Sequence, residues 1–324
     1  MDIDISRNDI AAAQRRIEGD IRRTPLLRVE GRQLGIDGVE LWLKLEQLQV
    51  GGSFKARGMF NRMRANPVPD AGVVIASGGN AAIAVACAAQ SLGVRCEVFL
   101  PETSSAAKRD KLSRLGAVVS VVGASYADAL AASLERQAQT GALLMHAYDQ
   151  REVVIGAATL AAEVEAEAGI PDRALVSVGG GGLIAGVCAW FQDRCAIDAL
   201  EPELAPTLHR ARAAGRPVDV EVSGIAADSL GARRIGAIAW ELTQRHLSAS
   251  HLLGDAAIRS AQQAMWSELR LAVEPAAALP LAALTTGIVS PRRDEKVLLV
   301  ICGANLDPAS LAGEAPVSAG RARK

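Results

Sequence analysis

Short apolar runs alternate with alanine-rich amphipathic segments along most of the chain, and a glycine-rich turn separates the two members of each pair. The clearest pairs join residues 40–46 to 54–65, 72–76 to 81–92, and 174–178 to 183–193. Further strand-sized apolar runs cover residues 95–100, 117–122 and 297–301. Strands that alternate with helices in this way favour an α/β fold with open, twisted, mainly parallel sheets flanked by helices.

The length and the apolar runs bear on domain number and location. The chain has 324 residues, enough for one large or two medium domains. Half of it is hydrophobic, yet no apolar run reaches the length of a membrane-spanning helix. The acidic, polar N-terminus is unlike a secretory signal. We therefore expect a soluble, cytoplasmic protein.

Charge and cysteine content exclude several classes of function. The net charge is −1, from 35 basic and 36 acidic residues that are spread along the chain. No basic block or aromatic stripe indicates nucleic acid or a membrane surface as a partner. The five cysteines are an odd number without a C-x-x-C pair, which is typical of buried thiols in a reducing compartment.

The first turn with unusual chemistry, at residues 51–58, reads Gly-Gly-Ser-Phe-Lys-Ala-Arg-Gly. Ser53 can cap a helix that begins at Phe54. Lys55 then lies in the first helical turn, where the helix dipole disfavours an ammonium group and lowers its pKa. An amine of this kind suits covalent catalysis, whereas the alternative is an ordinary solvated lysine.

Two further turns can bind anions. Residues 76–81 read Ala-Ser-Gly-Gly-Asn-Ala, so that free amides, Ser77 and Asn80 could hold a carboxylate or a ring hydroxyl. The alternative there is a plain N-cap turn. The consecutive glycines at residues 179–182 predict a backbone cradle for a phosphate. They also fit a dinucleotide fingerprint, with Asp198 near the place of a ribose-binding acid.

A fourth strand ends at residues 302–305, Cys-Gly-Ala-Asn, and taken alone Cys302 is a core cysteine. Together the four junctions resemble the fold type II pyridoxal-phosphate enzymes, which are tryptophan synthase β-like, and specifically the serine/threonine dehydratase (ammonia-lyase) family. The resemblance runs from Arg-Thr-Pro-Leu at residues 23–26 to the Cys-Gly-Ala-Asn turn. It also includes the Val-Glu-Pro segment at residues 273–275.

The resemblance implies a role for each matching residue. Lys55 would carry the cofactor, pyridoxal 5'-phosphate, and move the substrate's α-proton. The implied cofactor contacts are Phe54, Asn80, Gly179, Gly180, Gly181, Gly182 and Cys302. The implied substrate contacts are Ser77, Gly78 and Ala81, with Ser229 placed to narrow the pocket or to touch the substrate amine or hydroxyl.

The family resemblance also implies an activity and an architecture. The expected reaction converts L-threonine, L-serine or a related 3-hydroxy amino acid to a 2-oxo acid and ammonia by α,β-elimination. The cofactor would lie in a cleft between a large domain, residues 1–62 and 148–324, and a small domain, residues 63–147. A homodimer is expected. The alternatives are a β-replacement enzyme like the cysteine synthases and, more remotely, a nicotinamide-dinucleotide-binding protein.

Three positions depart from the family's pattern. Gly78 stands where racemising members have a serine, which argues against racemase activity. Thr207 stands where metal-binding members have a second carboxylate after Glu201, so no bound metal is expected. Ala81 and Ser229 alter the surroundings of the substrate, and a bulkier 3-hydroxy amino acid is therefore an open alternative.

Overall fold

Two β-sheets organise the chain in the computed structural model, which describes residues 4–311. The six strands of the larger sheet are β1 (Leu26–Glu30), β2 (Glu40–Lys44), β7 (Arg173–Ser177), β8 (Ala196–Pro202), β9 (Ala249–Leu253) and β10 (Lys296–Val300). The four strands of the smaller sheet are β3 (Val73–Ala76), β4 (Cys96–Leu100), β5 (Val118–Val121) and β6 (Leu143–Leu144).

Nearly all neighbouring strands run parallel. The larger sheet has the order β1-β2-β10-β7-β8-β9, and the smaller sheet has the order β5-β4-β3-β6. The β1–β2 pair is antiparallel, and every other pair in the two sheets is parallel. Because parallel strands point in the same direction, their carboxyl ends lie along the same edge of the sheet.

Eleven α-helices of the described residues flank the sheets. Their bounds are α1 (Arg7–Arg16), α2 (Lys55–Ala65), α3 (Asn80–Leu92), α4 (Ala106–Arg114), α5 (Tyr126–Thr140), α6 (Arg151–Ala168), α7 (Gly182–Phe191), α8 (Thr207–Ala214), α9 (Ala237–His246), α10 (Asp255–Leu269) and α11 (Pro275–Thr285). Local sequence sets many of the ends. Gly93, Gly141 and Gly215 adopt a left-handed conformation that terminates α3, α5 and α8.

The cores explain why these strands lack a polar face. All four residues of β3 are buried, and so are four of the five in β10 and in β7. Strands covered by helices on both faces are apolar throughout in this way. One large core surrounds the six-stranded sheet, and two smaller ones lie on the four-stranded sheet.

The predicted fold class is confirmed, and each predicted strand–helix pair is present within a few residues of its expected bounds. The expected cap at Ser53 is wrong. Phe54 is the N-cap of α2, and the buried hydroxyl of Ser53 has no hydrogen-bond partner within residues 4–311.

The boundaries of the two predicted domains stay a prediction. The first three and the last thirteen residues of the predicted large domain lie outside the described part.

A buried charge network lies behind the start of α2. The guanidinium of Arg57 is 2.7 Å from carboxylate oxygens of both Glu46 and Glu163, and the ammonium of Lys44 is 2.7 Å from Glu163. Arg57, Glu46 and Lys44 have no exposed surface. Two positive and two negative groups balance one another, which is the condition under which charges are tolerated in a core.

Candidate active site

The candidate active site is a cavity where the carboxyl ends of strands from both sheets meet. The space within it is about 420 Å³, which includes space open to solvent. Its lining combines an amine, a thiol, a carboxyl group, an amide and four consecutive glycines. The lining residues are Phe54, Lys55, Asn80, Ser177, Gly179, Gly180, Gly181, Gly182, Leu183, Ser229, Leu230, Glu274, Ala276 and Cys302.

Lys55 is the first residue of α2 and points its amine into this cavity. The Nζ atom donates a hydrogen bond to the carbonyl oxygen of Ala147 at 2.7 Å and lies 5.1 Å from the centre of the Phe54 ring. Burial lowers the pKa of Lys55 to about 8, against the opposing influence of Cys302 and Glu274. About a tenth of this amine is therefore uncharged at pH 7, far more than of an ordinary lysine, and the uncharged form is the one a nucleophile requires.

The pKa of Lys55 leads to a testable pH dependence. Only the neutral amine adds to an aldehyde, so the rate at which the protein binds pyridoxal phosphate covalently is expected to rise with pH and to level off above about pH 8. Below that value the rate falls about tenfold for each pH unit. The growth of visible absorbance after mixing measures it, and a rate that is constant from pH 6 to pH 8 would contradict the assignment.

The glycine loop connects β7 to α7, and neighbouring side chains leave no room for a larger residue at two of its positions. A β-carbon at Gly180 would lie 2.3 Å from the ring of Tyr148. One at Gly181 would lie 2.4 Å from Ala239, and Gly181 also has a φ of +91°. The loop leads into the amino end of α7, whose first amides have no partner within the helix. Exposed amides at a helix amino end bind phosphate groups.

Substitution of Gly181 by alanine tests this loop. The side chain would meet Ala239 and Ile235 while holding a strained φ, so we expect a loss of about 1–3 kcal/mol in stability. We also expect an increase of at least about tenfold in the dissociation constant for pyridoxal phosphate, because the loop must shift. Thermal melting and equilibrium dialysis measure the two effects.

Gly215→Ala is the matched control, because Gly215 has a φ of +67° but no heavy atom within 4 Å of an added β-carbon. It is expected to show the backbone strain without the loss of cofactor affinity. Equal cofactor affinities of the two variants would argue against a phosphate site at residues 179–182.

Asn80, Glu274 and Asn305 form a hydrogen-bonded group on one side of the cavity. The Nδ2 atom of Asn80 donates to the carboxylate oxygens of Glu274 at 2.8 and 3.1 Å, and its Oδ1 atom accepts from Nδ2 of Asn305 at 2.7 Å. Burial raises the pKa of Glu274 to about 7, against the hydrogen bond from Asn80. Of the three, only Asn80 was predicted to have a role in the site.

The local position of Glu274 is recognisable in the sequence, but its neighbours in the folded protein are not. It precedes Pro275, the first residue of α11, which is where proline is favoured in helices. The carboxyl end of β10 lies beside it, and its backbone amide donates to the carbonyl of Gly303 at 3.1 Å. Sequence spacing does not reveal that neighbourhood, because α11 precedes β10 in the chain.

Cys302 follows β10 and lies in the cavity lining with 4% of its surface exposed. Burial, reinforced by the nearby Glu274, raises the pKa of this thiol well above its usual value. Its carbonyl accepts a hydrogen bond from the backbone amide of Phe54 at 3.0 Å, which joins the two predicted cofactor contacts. Cys302 is therefore a neutral, weakly polar group at this position.

The predicted substrate contacts lie in two places. Ser229 lines the cavity itself. Ser77 and Gly78 lie between β3 and α3, and Ala81 is the second residue of α3, next to Asn80. All three are absent from the cavity lining found within residues 4–311. The hydroxyl of Ser77 accepts from the amide of Gly79 at 3.4 Å. Their role as substrate contacts stays a prediction.

Thr207 and Glu201, the positions compared with metal-binding family members, are engaged by the protein itself. The carboxylate of Glu201 accepts from the amides of Leu208 and His209 at 2.7 Å each. The hydroxyl of Thr207 donates to the carbonyl oxygen of Gly179 at 2.5 Å. Across the described residues, no cluster of three His, Cys, Asp or Glu side chains could hold a metal ion.

Asp198, the acid considered for a dinucleotide site, faces a different partner. Its carboxylate is 2.7 Å from the guanidinium of Arg173, which also pairs with Glu295 at 2.7 Å. Asp198 is 1% exposed and lies within β8. It is therefore poorly placed to reach a ribose hydroxyl from the glycine loop.

Comparison with known proteins identifies a family. The family model described as pyridoxal-phosphate dependent enzyme matches residues 17–303. Phenylserine dehydratase of Ralstonia pickettii is 33% identical over 308 residues, which are 94% of each chain. The beta-hydroxyaspartate dehydratase of Paracoccus denitrificans is 31% identical over 92% of this chain and 96% of its own.

Two solved structures have the same fold as this chain. The crystal structure of a threonine deaminase from T.th. matches with a TM-score of 0.86 and 33% identity, over 94% of this chain and 99% of that one. Maize serine racemase matches with a TM-score of 0.88 and 29% identity, over 94% of this chain and 95% of that one. Within residues 4–311, no helix is long and apolar enough to span a membrane.

Proposed function

The chain belongs to the pyridoxal-phosphate dependent enzyme family, and from that premise we propose that it removes water and ammonia from a 3-hydroxy amino acid. The supporting observation is the presence of the amine of Lys55 and the glycine loop in one cavity. The first provides a covalent attachment point for an aldehyde, and the second provides amides for its phosphate.

The residues of the cavity fit pyridoxal phosphate. Gly180 and Gly181 pack so closely against Tyr148 and Ala239 that a side chain at either position would displace the loop, and this loop of backbone amides leads into the amino end of α7. Phe54 offers an apolar surface beside Lys55, and Cys302 offers a neutral thiol on the same wall. When bound, the cofactor would withdraw electrons from the α-carbon of the substrate, which is the chemistry that elimination requires.

Lys55 is proposed as the catalytic residue. Its amine, with a pKa near 8, can accept the α-proton and later return a proton within the physiological range. The amides of residues 77–81 would hold the substrate carboxylate, so that the α-carbon faces Lys55. A neutral Cys302 provides no charge to stabilise a protonated ring nitrogen, a condition that favours prompt loss of the β-hydroxyl.

The substrate is proposed to be L-threonine, L-serine or a larger 3-hydroxy amino acid. A second pocket adjoins the first, and the two share Ser229 and Glu274 in their linings. It contains about 570 Å³ of space, which includes space open to solvent. Space beyond those two side chains favours acceptance of a substituent larger than a methyl group. The relatives named for phenylserine and beta-hydroxyaspartate support the same range.

A substrate panel tests the proposal. The protein loaded with pyridoxal phosphate is incubated separately with L-threonine, L-serine, 3-phenylserine and 3-hydroxyaspartate. The amounts of ammonia and of 2-oxo acid released are then measured. Stoichiometric release of both from at least one substrate is expected. Condensation of O-acetylserine with sulfide, without release of ammonia from any hydroxy amino acid, would instead indicate β-replacement. The homodimer stays a prediction of the family resemblance, and the cytoplasmic location stays a prediction of the apolar pattern and the N-terminal sequence.

A further inference from the structure

Four polar side chains form a chain of hydrogen bonds that runs from the surface to the cavity. The Nζ atom of Lys111 donates to Oδ1 of Asn305 at 2.8 Å. The Nδ2 atom of Asn305 donates to Oδ1 of Asn80, and Nδ2 of Asn80 donates to Glu274. Lys111 is exposed, whereas Glu274 is 5% exposed. Each side chain therefore donates to the next, from Lys111 on α4 to Glu274 in the lining of the cavity.

The two ends of this chain fix its direction. An ammonium group only donates, so Lys111 requires the oxygen of the Asn305 amide to face it. A carboxylate only accepts, so Glu274 requires the nitrogen of the Asn80 amide to face it. Asn305 uses its second amide hydrogen on the carbonyl of Gly51 at 2.8 Å. A side-chain amide held at both ends in this way has one orientation, whereas a free amide can flip.

Successive members of this chain of hydrogen bonds come alternately from the two sheets. Lys111 and Asn80 lie on helices that pack on the four-stranded sheet. Asn305 follows β10 of the six-stranded sheet, and Glu274 precedes α11, which packs on that sheet. Space for Glu274 depends on a glycine, because a β-carbon at Gly303 would lie 2.6 Å from Oε1 of Glu274. The arrangement is therefore built into the packing of the junction.

We propose that Glu274 is a positioning residue of the cofactor site, which together with Lys111 fixes the orientation of the Asn80 side chain toward the bound cofactor. The inference rests on the proposed function, in which Asn80 contacts the cofactor. The ionised form of Glu274 makes a charge-assisted bond to Asn80 and holds it more firmly than the neutral form.

The charged state of Glu274 connects this orientation to pH. The titratable groups that face Glu274 are Lys55 at the start of α2, Cys302 after β10 and Asp228 in the loop before α9. Because the pKa of Glu274 is raised to about 7, the carboxyl group is neutral below that pH and ionised above it. Lys55 does not titrate as a free amine once it is bonded to the cofactor.

The visible spectrum of the loaded protein as a function of pH tests this proposal. The wild type is expected to show a change in band position or intensity between about pH 6 and 8, and Glu274→Gln is expected to abolish that change. An identical transition in Glu274→Gln, or no transition in a wild type that has a cofactor band, would overturn the inference while leaving the proposed function intact. Failure of the wild type to develop any band contradicts the proposed function itself.

A second pair of variants tests the other end of the chain, and it applies even if Glu274→Gln does not fold. Lys111→Met is expected to raise the dissociation constant for pyridoxal phosphate about fivefold, the effect of one lost hydrogen bond. Arg114→Met is the control, since Arg114 is an exposed basic residue of the same helix that takes no part in the chain of amides. Equal dissociation constants for the two variants would overturn the role assigned to Lys111.

Discussion

Replacing Lys55 with alanine is expected to lower the rate of elimination by at least about 10³-fold, because the substitution removes both the covalent attachment point and the group that moves the α-proton. The fold should persist, since the Lys55 side chain makes one hydrogen bond, to Ala147, and is partly exposed. The assay is the release of a 2-oxo acid from whichever hydroxy amino acid the wild type converts, measured with saturating cofactor.

Lys296→Ala provides the control for this variant. Lys296 is exposed at the start of β10, at the opposite end of that strand from Cys302. Its substitution should leave the rate within about twofold of the wild type. Activity of Lys55→Ala within tenfold of the wild type, at equal cofactor content, would contradict the catalytic role of Lys55.

Replacing Arg57 with methionine is expected to reduce the free energy of unfolding by about 3–5 kcal/mol, since it leaves buried carboxylates without their main partner. Arg57 donates to Glu46 at 2.7 and 2.8 Å and to Glu163 at 2.7 and 2.8 Å. Lys44 alone would then oppose two negative charges. Urea unfolding followed by circular dichroism measures the loss.

Arg64→Met is the matched control on the same helix. Arg64 pairs with Asp20 at 2.8 Å, but 45% of its side chain is exposed to solvent. Exposed pairs contribute about 1 kcal/mol or less, so this variant should unfold close to the wild type. Similar losses for the two variants would indicate that the Arg57 network contributes no more than a surface pair.

The alternation of strands and helices was readable from sequence because both sheets are built from locally consistent segments. Residues 72–76 and 81–92 have the apolar content and the flanking glycines that their observed structures require, and β3 and α3 lie within a residue of those bounds. The strands β1, β6, β8 and β9 were not predicted, and β9 shows one reason. Its pattern, Ala-Ser-His-Leu-Leu, is only partly buried, and pairing with β8 rather than propensity places it in the sheet.

The site was predictable where chemistry and local turn coincide. Lys55 and the four glycines stand out because a lysine at a helix start and consecutive glycines are uncommon, and both lie in the cavity. Glu274, Asn305 and Tyr148 were missed as site residues. Glu274 and Asn305 stand in segments that carry the family resemblance, but no role was assigned to them. Each of the three acquires a role only through contacts with residues more than thirty positions away, such as Asn80 and Gly180.

The expected helix cap at Ser53 failed for a related reason. A serine before a helix usually caps it, but Ser53 instead forms an isolated antiparallel bridge with Gly303 and is fully buried. That bridge fastens the start of α2 to the end of β10. It thereby brings Lys55 and Cys302 to the same cavity, which no local pattern in either segment indicates.

The most direct test of the central claim is to identify the residue that carries the cofactor. The purified protein is incubated with pyridoxal phosphate, reduced with borohydride, digested and examined by mass spectrometry. We expect the reduced cofactor on Lys55, together with loss of the visible absorbance band that preceded reduction. A cofactor found on another lysine, such as Lys44 or Lys111, or on none, would contradict the assignment of this cavity as a pyridoxal-phosphate site.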